Sequence, residues 1–98
     1  MKVLVADDDA VARFVLEDVL SEWGYEVVLA TDGRKACEIL LGDDPPPLAT
    51  LDWMMPGMEG PDICRTVKQK KGKYTYLIVL TSKTEKGEIA QALDAGAD

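Results

Sequence analysis

The hydrophobic positions of this chain fall into short continuous runs that alternate with stretches of helical spacing. Runs of this length without polar alternation are typical of strands buried on both faces of a parallel sheet. The helical stretches between and after them predict four helices, so the predicted order is βαβαβαβα. This order predicts a doubly wound α/β fold with helices on both faces of the sheet. The four runs are Val3–Ala6, Val27–Ala30, Leu48–Leu51 and Leu77–Leu80.

The first two predicted helices have clear boundaries. The first covers residues 10–23, where valines recur every four residues, and Gly24 follows as a left-handed stop. Thr31-Asp32-Gly33 opens the second helix, which is predicted to reach Leu41. Three prolines at 45–47 then exclude both helix and strand.

The last two predicted helices begin with recognisable signals. Pro61 suits the first position of the third helix, since proline lacks the N–H that would be unpaired there. Ser82 and Glu85 have the spacing of a capping box and introduce the fourth helix, which runs toward Gly96.

The composition narrows the class of protein. Ninety-eight residues with 47% hydrophobic and 30% charged residues suit one small globular domain. The net charge of −7 argues against direct binding to nucleic acid or to anionic membranes. No transmembrane or secretory segment is recognisable, so a cytoplasmic location is expected. Cys37 and Cys64 are each expected to be small buried apolar residues in a reducing compartment, with no disulfide or metal role.

Polar side chains follow three of the four predicted strands. Asp7-Asp8-Asp9 follows the first strand, Asp52 the third, and Thr81 and Ser82 the fourth. Each alone is explained equally well as a helix cap or a turn residue. A doubly wound sheet, however, binds ligands outside the carboxyl ends of its strands. If strands one, three and four are neighbours, carboxylates and hydroxyls gather in one pocket.

Clustered carboxylates repel one another at neutral pH unless they are protonated or bind a cation. Carboxylate oxygens select Mg²⁺ or Ca²⁺, and the chain contains no histidine, which removes most zinc and iron sites. The oxygens are too few for an all-protein calcium cage, so Mg²⁺ that keeps several waters is favoured. A carboxylate beside Mg²⁺ is suited to phosphoryl chemistry, in which it forms an acyl phosphate.

Four segments together resemble the receiver domain of two-component response regulators. "KVLVADDD" resembles the first strand and acidic pair of that family, and "LDWMMPGMEG" resembles its phosphoacceptor strand end and loop. "VLTS" resembles its fourth strand and hydroxyl residue, and "ALDAGAD" resembles the end of its fourth helix. Four matches in the family's order make the resemblance specific over residues 1–98. It implies a flavodoxin-like fold with strand order 2-1-3-4-5.

The resemblance implies an acidic Mg²⁺ site. Asp52 would accept a phosphoryl group from a phosphohistidine on a sensor kinase or phosphotransfer protein. Asp8 and Asp52 would bind Mg²⁺ directly, the backbone carbonyl of Met54 would be a third ligand, and Asp7 would act largely through water. Thr81 would hydrogen-bond the phosphoryl group.

The resemblance assigns the neighbouring positions as well. Ser82, being small, would leave room for the phosphoryl group. Asp9 has no role in the family and is best interpreted as a helix cap. The loop after Asp52 would fold over the metal while Met55 and Met58 pack inward. Such a domain is a signalling module rather than an enzyme in the usual sense, since it catalyses only its own phosphorylation and dephosphorylation.

One departure from the family pattern concerns the C-terminus. The family continues into a fifth strand, a lysine that contacts the phosphoryl group, and a fifth helix, and none of these has a counterpart in the 98 residues. We therefore expect a receiver domain that is incomplete after Asp98 and phosphorylates poorly. The strand Tyr76–Leu80 is expected to lie at a sheet edge and to promote self-association.

Two alternatives belong to other classes. A phosphatase of the haloacid dehalogenase type also uses an aspartate at a strand end, but it needs a second aspartate two residues later, where this chain has Met54. A receiver-like interaction module that is not phosphorylated would be indicated by loss of an acid at position 7, 8 or 52. All three acids are present.

Overall fold

The computed structural model describes residues 1–53, 55–69 and 75–80. It confirms the predicted alternation of strands and helices over seven elements. The predicted fourth helix, with Ser82 and Glu85, lies outside the described residues. In chain order the elements are β1 (Lys2–Ala6), α1 (Ala10–Glu22), β2 (Glu26–Ala30), α2 (Gly33–Leu40), β3 (Leu48–Asp52), α3 (Gly60–Lys68) and β4 (Tyr76–Leu80).

The four strands form one parallel sheet in the order β2-β1-β3-β4. This agrees with the expected order and makes β1, β3 and β4 neighbours. The register places Ala6 beside both Ala30 and Leu51, and Asp52 beside Leu80. The carboxyl ends of the strands therefore lie at the same edge of the sheet.

The main core lies between the sheet and two helices. Helices α2 and α3 contact each other, α2 also contacts β1 and β2, and α3 contacts β4. Leu4, Leu51 and Leu77 of the sheet pack there with Leu40 of α2 and Ile63 of α3. Helix α1 contacts β1 and β2 and contributes no residue to this cluster. Because side chains alternate along a strand, α1 lies on the opposite face of the sheet.

The ends of the first two helices follow the predicted signals to within one residue. Gly24 has φ of +90°, which confirms the left-handed stop. Helix α1 ends at Glu22 and Trp23 caps it, one residue before the predicted end. Helix α2 ends at Leu40, and Leu41 caps it rather than extending it.

The third helix begins one residue before the predicted position. Gly60 is its first residue and Pro61 its second, with Glu59 at the cap position. The Ile63 N–H donates to the Glu59 carbonyl at 3.1 Å, which closes the first turn with Glu59 at the cap and Gly60 inside it. Pro61 is still within the first turn, where its missing N–H costs nothing.

Both cysteines are buried, as expected for small apolar residues. Burial, together with the neighbouring charge of Glu38, raises the pKa of the Cys37 thiol. The thiol form is therefore favoured, and a reactive role is not indicated.

The outer side of α1 is more exposed than its hydrophobic spacing alone would indicate. Val11 is 70% exposed, Phe14 68% and Val15 51%. Within the described residues, α1 has no fully buried side chain. None of the described helices is long and apolar enough to cross a membrane.

Candidate functional site

The sheet register brings three carboxylates together at the carboxyl ends of β1 and β3. Asp7 directly follows β1, and its N–H continues the ladder by donating to the Ala30 carbonyl at 3.2 Å. Asp52 is the last residue of β3. Oxygen atoms of Asp7, Asp8 and Asp52 all lie within 4.8 Å of one another. The three acids that the sequence grouped in one pocket are thus adjacent.

Hydrogen bonds fix the backbone between β1 and α1. The Asp7 carboxylate accepts from the Asp9 N–H at 2.9 Å, and the Asp9 carboxylate accepts from the Val11 N–H at 2.9 Å. Asp9 is therefore the N-cap of α1, as predicted. Arg13, one turn into the helix, donates to the Asp7 carbonyl at 2.8 Å. Asp7 is held in place from both sides.

The environment of Asp52 disfavours its charge. Burial, and then repulsion from Asp7 and Asp8, raises the pKa of the Asp52 carboxyl above its ordinary value of 3.8. The backbone hydrogen bond from Trp53 acts in the opposite direction and is outweighed. Asp52 is half-buried and Asp8 is exposed, so the pocket is open to solvent on one side.

The loop after Asp52 lies over the core. Its base is closed by two hydrogen bonds: the Trp53 N–H donates to the Leu80 carbonyl, and the Gly60 N–H donates to the Trp53 carbonyl. Met55 is buried in the main cluster and Met58 packs against it, which confirms the predicted inward packing. These contacts fix both ends of the loop relative to Asp52.

Three predicted site residues lie outside the described residues: Met54, Thr81 and Ser82. One residue that contacts the site was not predicted from the sequence: Arg13, which donates to the Asp7 carbonyl. This contact runs from the first turn of α1 back to the strand end, and no local sequence signal indicates it.

The cluster formed by the carboxylates of Asp7, Asp8 and Asp52 fits a magnesium ion. Mg²⁺ prefers oxygen ligands at about 2.1 Å, so directly bound oxygens on opposite sides lie about 4 Å apart. Carboxylate oxygens that lie up to 4.8 Å from one another accommodate the ion when one of the three carboxylates acts through water. The raised pKa of Asp52 has the same implication, since a cation would relieve the repulsion from Asp7 and Asp8.

The fold and the acidic pocket define a class: small doubly wound domains that carry a carboxylate cluster at the carboxyl end of a parallel sheet. Within that class, the sequence profile of the "Response regulator receiver domain" family matches residues 3–98. The chain belongs to the response regulator receiver domain family.

Curated relatives support the same family. The response regulator MprA of Mycolicibacterium vanbaalenii is 41% identical over all 98 residues, and that of Mycobacterium tuberculosis (strain H37Ra) is 40% identical. The chain spans 42% of the length of each relative.

Solved receiver domains share the fold. The NarL receiver domain of Mycobacterium tuberculosis has 33% identity and a TM-score of 0.88, covering 98% of this chain and 77% of that one. The receiver domain of the sensor histidine kinase PA1611 from Pseudomonas aeruginosa has 26% identity and a TM-score of 0.87, covering 99% and 80%. That structure contains a magnesium ion coordinated in the active site cleft.

Proposed function

We propose that this chain accepts a phosphoryl group on Asp52, from a phosphohistidine of a sensor kinase or phosphotransfer protein, and changes conformation in response. The observation that carries the proposal is the convergence of Asp7, Asp8 and Asp52 within 4.8 Å. The family membership over residues 3–98 supports it, together with the resemblance of Asp7, Asp8 and Asp52 to the acids of the family's motifs.

The reaction we propose is a displacement at phosphorus. An oxygen of the Asp52 carboxylate attacks the phosphorus atom of the phosphohistidine. The bond between phosphorus and the imidazole nitrogen breaks, and its electron pair stays on the imidazole. The products are an acyl phosphate on Asp52 and a histidine without its phosphoryl group. The open, half-buried position of Asp52 supports access from solvent.

The proposed Mg²⁺ ligands are Asp8 and Asp52 with the backbone carbonyl of Met54, while Asp7 acts through water. When bound, the ion neutralises charge on the phosphoryl oxygens. Asp7 is well placed to keep its orientation, because it is only 8% exposed and accepts the Asp9 N–H. Thr81 is proposed to bind the phosphoryl group.

Further parts of the proposal rest on the family resemblance and on charge. Small Ser82 would leave space beside the phosphoryl group. The domain would act in the cytoplasm as a signalling module that catalyses only its own phosphorylation and dephosphorylation. Its net charge of −7 disfavours direct contact with nucleic acid or an anionic membrane, so its partners would be proteins. Residues 1–98 would belong to one receiver domain.

Covalent labelling tests the proposal. Acetyl phosphate and Mg²⁺ should add one phosphoryl group to the natural full-length protein, detected by mass spectrometry and removed by hydroxylamine. Asp52→Asn keeps the shape but removes the anionic nucleophile, so we expect no labelling. Asp43→Asn, in the exposed loop before β3, is the matched control and should be labelled normally. Equal labelling of Asp52→Asn and the parent would rule out Asp52 as the acceptor.

The alternatives have less support. A haloacid dehalogenase-type phosphatase would need an aspartate at position 54, and the family match is to receiver domains. A receiver-like module that is not phosphorylated remains the second candidate, and it predicts no labelling even of the parent protein.

A further inference from the structure

Gly33, the first residue of α2, lies in close contact with the loop that follows the candidate phosphoacceptor. Its N–H donates to the Pro56 carbonyl at 3.0 Å. A Cβ atom built on Gly33 would lie 2.0 Å from the Met58 carbonyl oxygen and 2.9 Å from the Met58 nitrogen. Helix and loop therefore meet backbone to backbone, at a distance that excludes any side chain.

The backbone conformation of Gly33 does not itself require glycine. Among the described residues, only Gly24 and Gly57 have positive φ. The helix start is already provided by Asp32, whose carboxylate accepts from the Lys35 N–H at 2.8 Å. The close approach of the loop is therefore the one feature that demands a residue without a side chain at this position.

The same loop is fixed at its base next to Asp52. A Cβ atom on Gly60 would lie 2.9 Å from the Asp52 carbonyl oxygen. Trp53 and residues 55–59 thus lie between Gly60, beside Asp52, and Gly33, on a helix from another part of the chain. A displacement at the Gly33 contact would be transmitted along this short loop toward Asp52 and the residues beside it.

We propose that Gly33 is a positioning residue. It sets the distance between α2 and the loop, and so it fixes the position of Asp52 relative to the other proposed Mg²⁺ ligands. The inference rests on the proposed function and assigns it a residue outside the acidic pocket. An alanine at position 33 would force the loop to retreat by about 1 Å, since real Cβ contacts lie beyond 3.0 Å. Misplacement of reacting groups by about 1 Å can lower a rate by about a hundredfold.

The main test compares Gly33→Ala with Gly42→Ala. Gly42 follows the same helix, but a Cβ there lies 3.3 Å from its nearest atom, the Ile39 carbonyl oxygen. Trp53 is 4% exposed and adjacent to Asp52, so we expect its fluorescence to respond to Mg²⁺ binding once the exposed Trp23 is replaced by phenylalanine. We expect the half-saturating Mg²⁺ concentration of Gly33→Ala to rise at least about tenfold, and that of Gly42→Ala to stay within about twofold.

A second pair covers the case in which Gly33→Ala does not fold. Gly57→Ala changes the loop side of the contact, where φ is +87° and a Cβ lies 3.4 Å from Arg34. Gly24→Ala is its control, with φ of +90° and no atom within 4 Å. Both variants incur a similar backbone strain, but only Gly57 lies against α2, through Arg34. A loss of Mg²⁺ affinity in Gly57→Ala that is absent from Gly24→Ala supports a role for the contact between α2 and the loop, and unchanged affinity in Gly57→Ala would overturn it.

The outcomes separate the two proposals. Weaker Mg²⁺ binding and slower labelling of Asp52 in Gly33→Ala, measured well below its melting temperature, support the positioning role. A lower melting temperature with unchanged half-saturation would show that Gly33 only stabilises the fold, and would overturn it. Failure of the parent protein to accept a phosphoryl group would refute the proposed function, while the Mg²⁺ titration would still decide the role of Gly33.

Discussion

Two features of the surroundings of Asp52 disfavour its ionised form. It is half-buried, and it faces two other carboxylates without a neutralising cation among the described side chains. Burial and the charges of Asp7 and Asp8 raise its pKa. Ionised Asp52 therefore lowers the free energy of unfolding of the native state. Carboxyl groups with perturbed pKa values of this kind are concentrated at functional sites.

This destabilising effect predicts a stabilising substitution. Because the pKa of Asp52 is raised in the folded state, the native protein binds the proton more tightly than the unfolded chain does. Without metal, stability should fall as pH rises from the ordinary value of 3.8 through the raised pKa, with the full loss present above it. Asp52→Asn should therefore raise the melting temperature by several degrees at pH 7.5 in EDTA.

The pH dependence supplies the check on that prediction. The advantage of Asp52→Asn over the parent should shrink as pH is lowered, because the parent also becomes neutral at this position. Asp43→Asn removes the same charge in an exposed loop and should show no such trend. An equal advantage of Asp52→Asn at every pH would contradict the assigned cause.

Magnesium should stabilise the folded protein. Binding only to the native state adds about 2.7 kcal/mol at a hundredfold excess over Kd. Thermal melting with Mg²⁺, against a monovalent salt of equal ionic strength, measures the effect. Asp8→Ala should lose most of the Mg²⁺ shift, whereas Asp18→Ala, an exposed acid on α1, should keep it. Equal shifts in both variants would count against the site.

At the scale of elements, the start of α1 couples the helix to the site. Asp9 caps the helix, and its own N–H is bound by the Asp7 carboxylate. Arg13 returns from the first turn to the Asp7 carbonyl. A helix terminus and a site residue therefore share one hydrogen-bond network. A change at the cap should alter both the free energy of unfolding and the position of Asp7.

Removal of this cap should destabilise the domain. Asp9→Ala leaves the Val11 N–H without its side-chain acceptor, at a cost of about 1 kcal/mol. Asp9→Asn removes the charge but retains a capping oxygen, so it should remain close to the parent. Urea unfolding should show a lower midpoint with an unchanged slope for Asp9→Ala alone. Equal midpoints for the two variants would contradict the capping role.

At the scale of the whole molecule, apolar side chains are exposed on the α1 side and along β4. Phe14 is 68% exposed, Tyr76 50% and Ile78 37%. Within the described residues, β4 pairs with β3 alone, so its other side has no strand partner there. An apolar strand of this kind favours pairing with another chain.

We predict that the 98-residue chain self-associates through β4. Sedimentation over a concentration series should show species larger than the monomer. A lysine in an exposed edge strand opposes such pairing, so Ile78→Lys should shift the chain toward monomer. Leu41→Lys places the same charge at an exposed position after α2 and is the control. A parent chain that is monomeric at every concentration would refute the prediction.

The sequence determined the elements of this protein and the chemistry of its site. The apolar runs and helical spacing predicted seven described elements, because burial on both sheet faces requires uninterrupted apolar strands. Asp32, Gly24 and Asp9 marked helix ends through local hydrogen bonds and local backbone geometry. The carboxylates after the strands indicated a cation site, since a parallel sheet brings its carboxyl ends together.

Only the tertiary structure decided which segments touch. The contact of Gly33 with Met58 joins residues that no local pattern connects, and it depends on how α2 packs beside the loop. The exposure of Phe14 likewise follows from what covers α1 in space, not from its helical spacing. Local patterns fix conformation through neighbours in sequence, whereas these distances depend on packing between elements that are far apart along the chain.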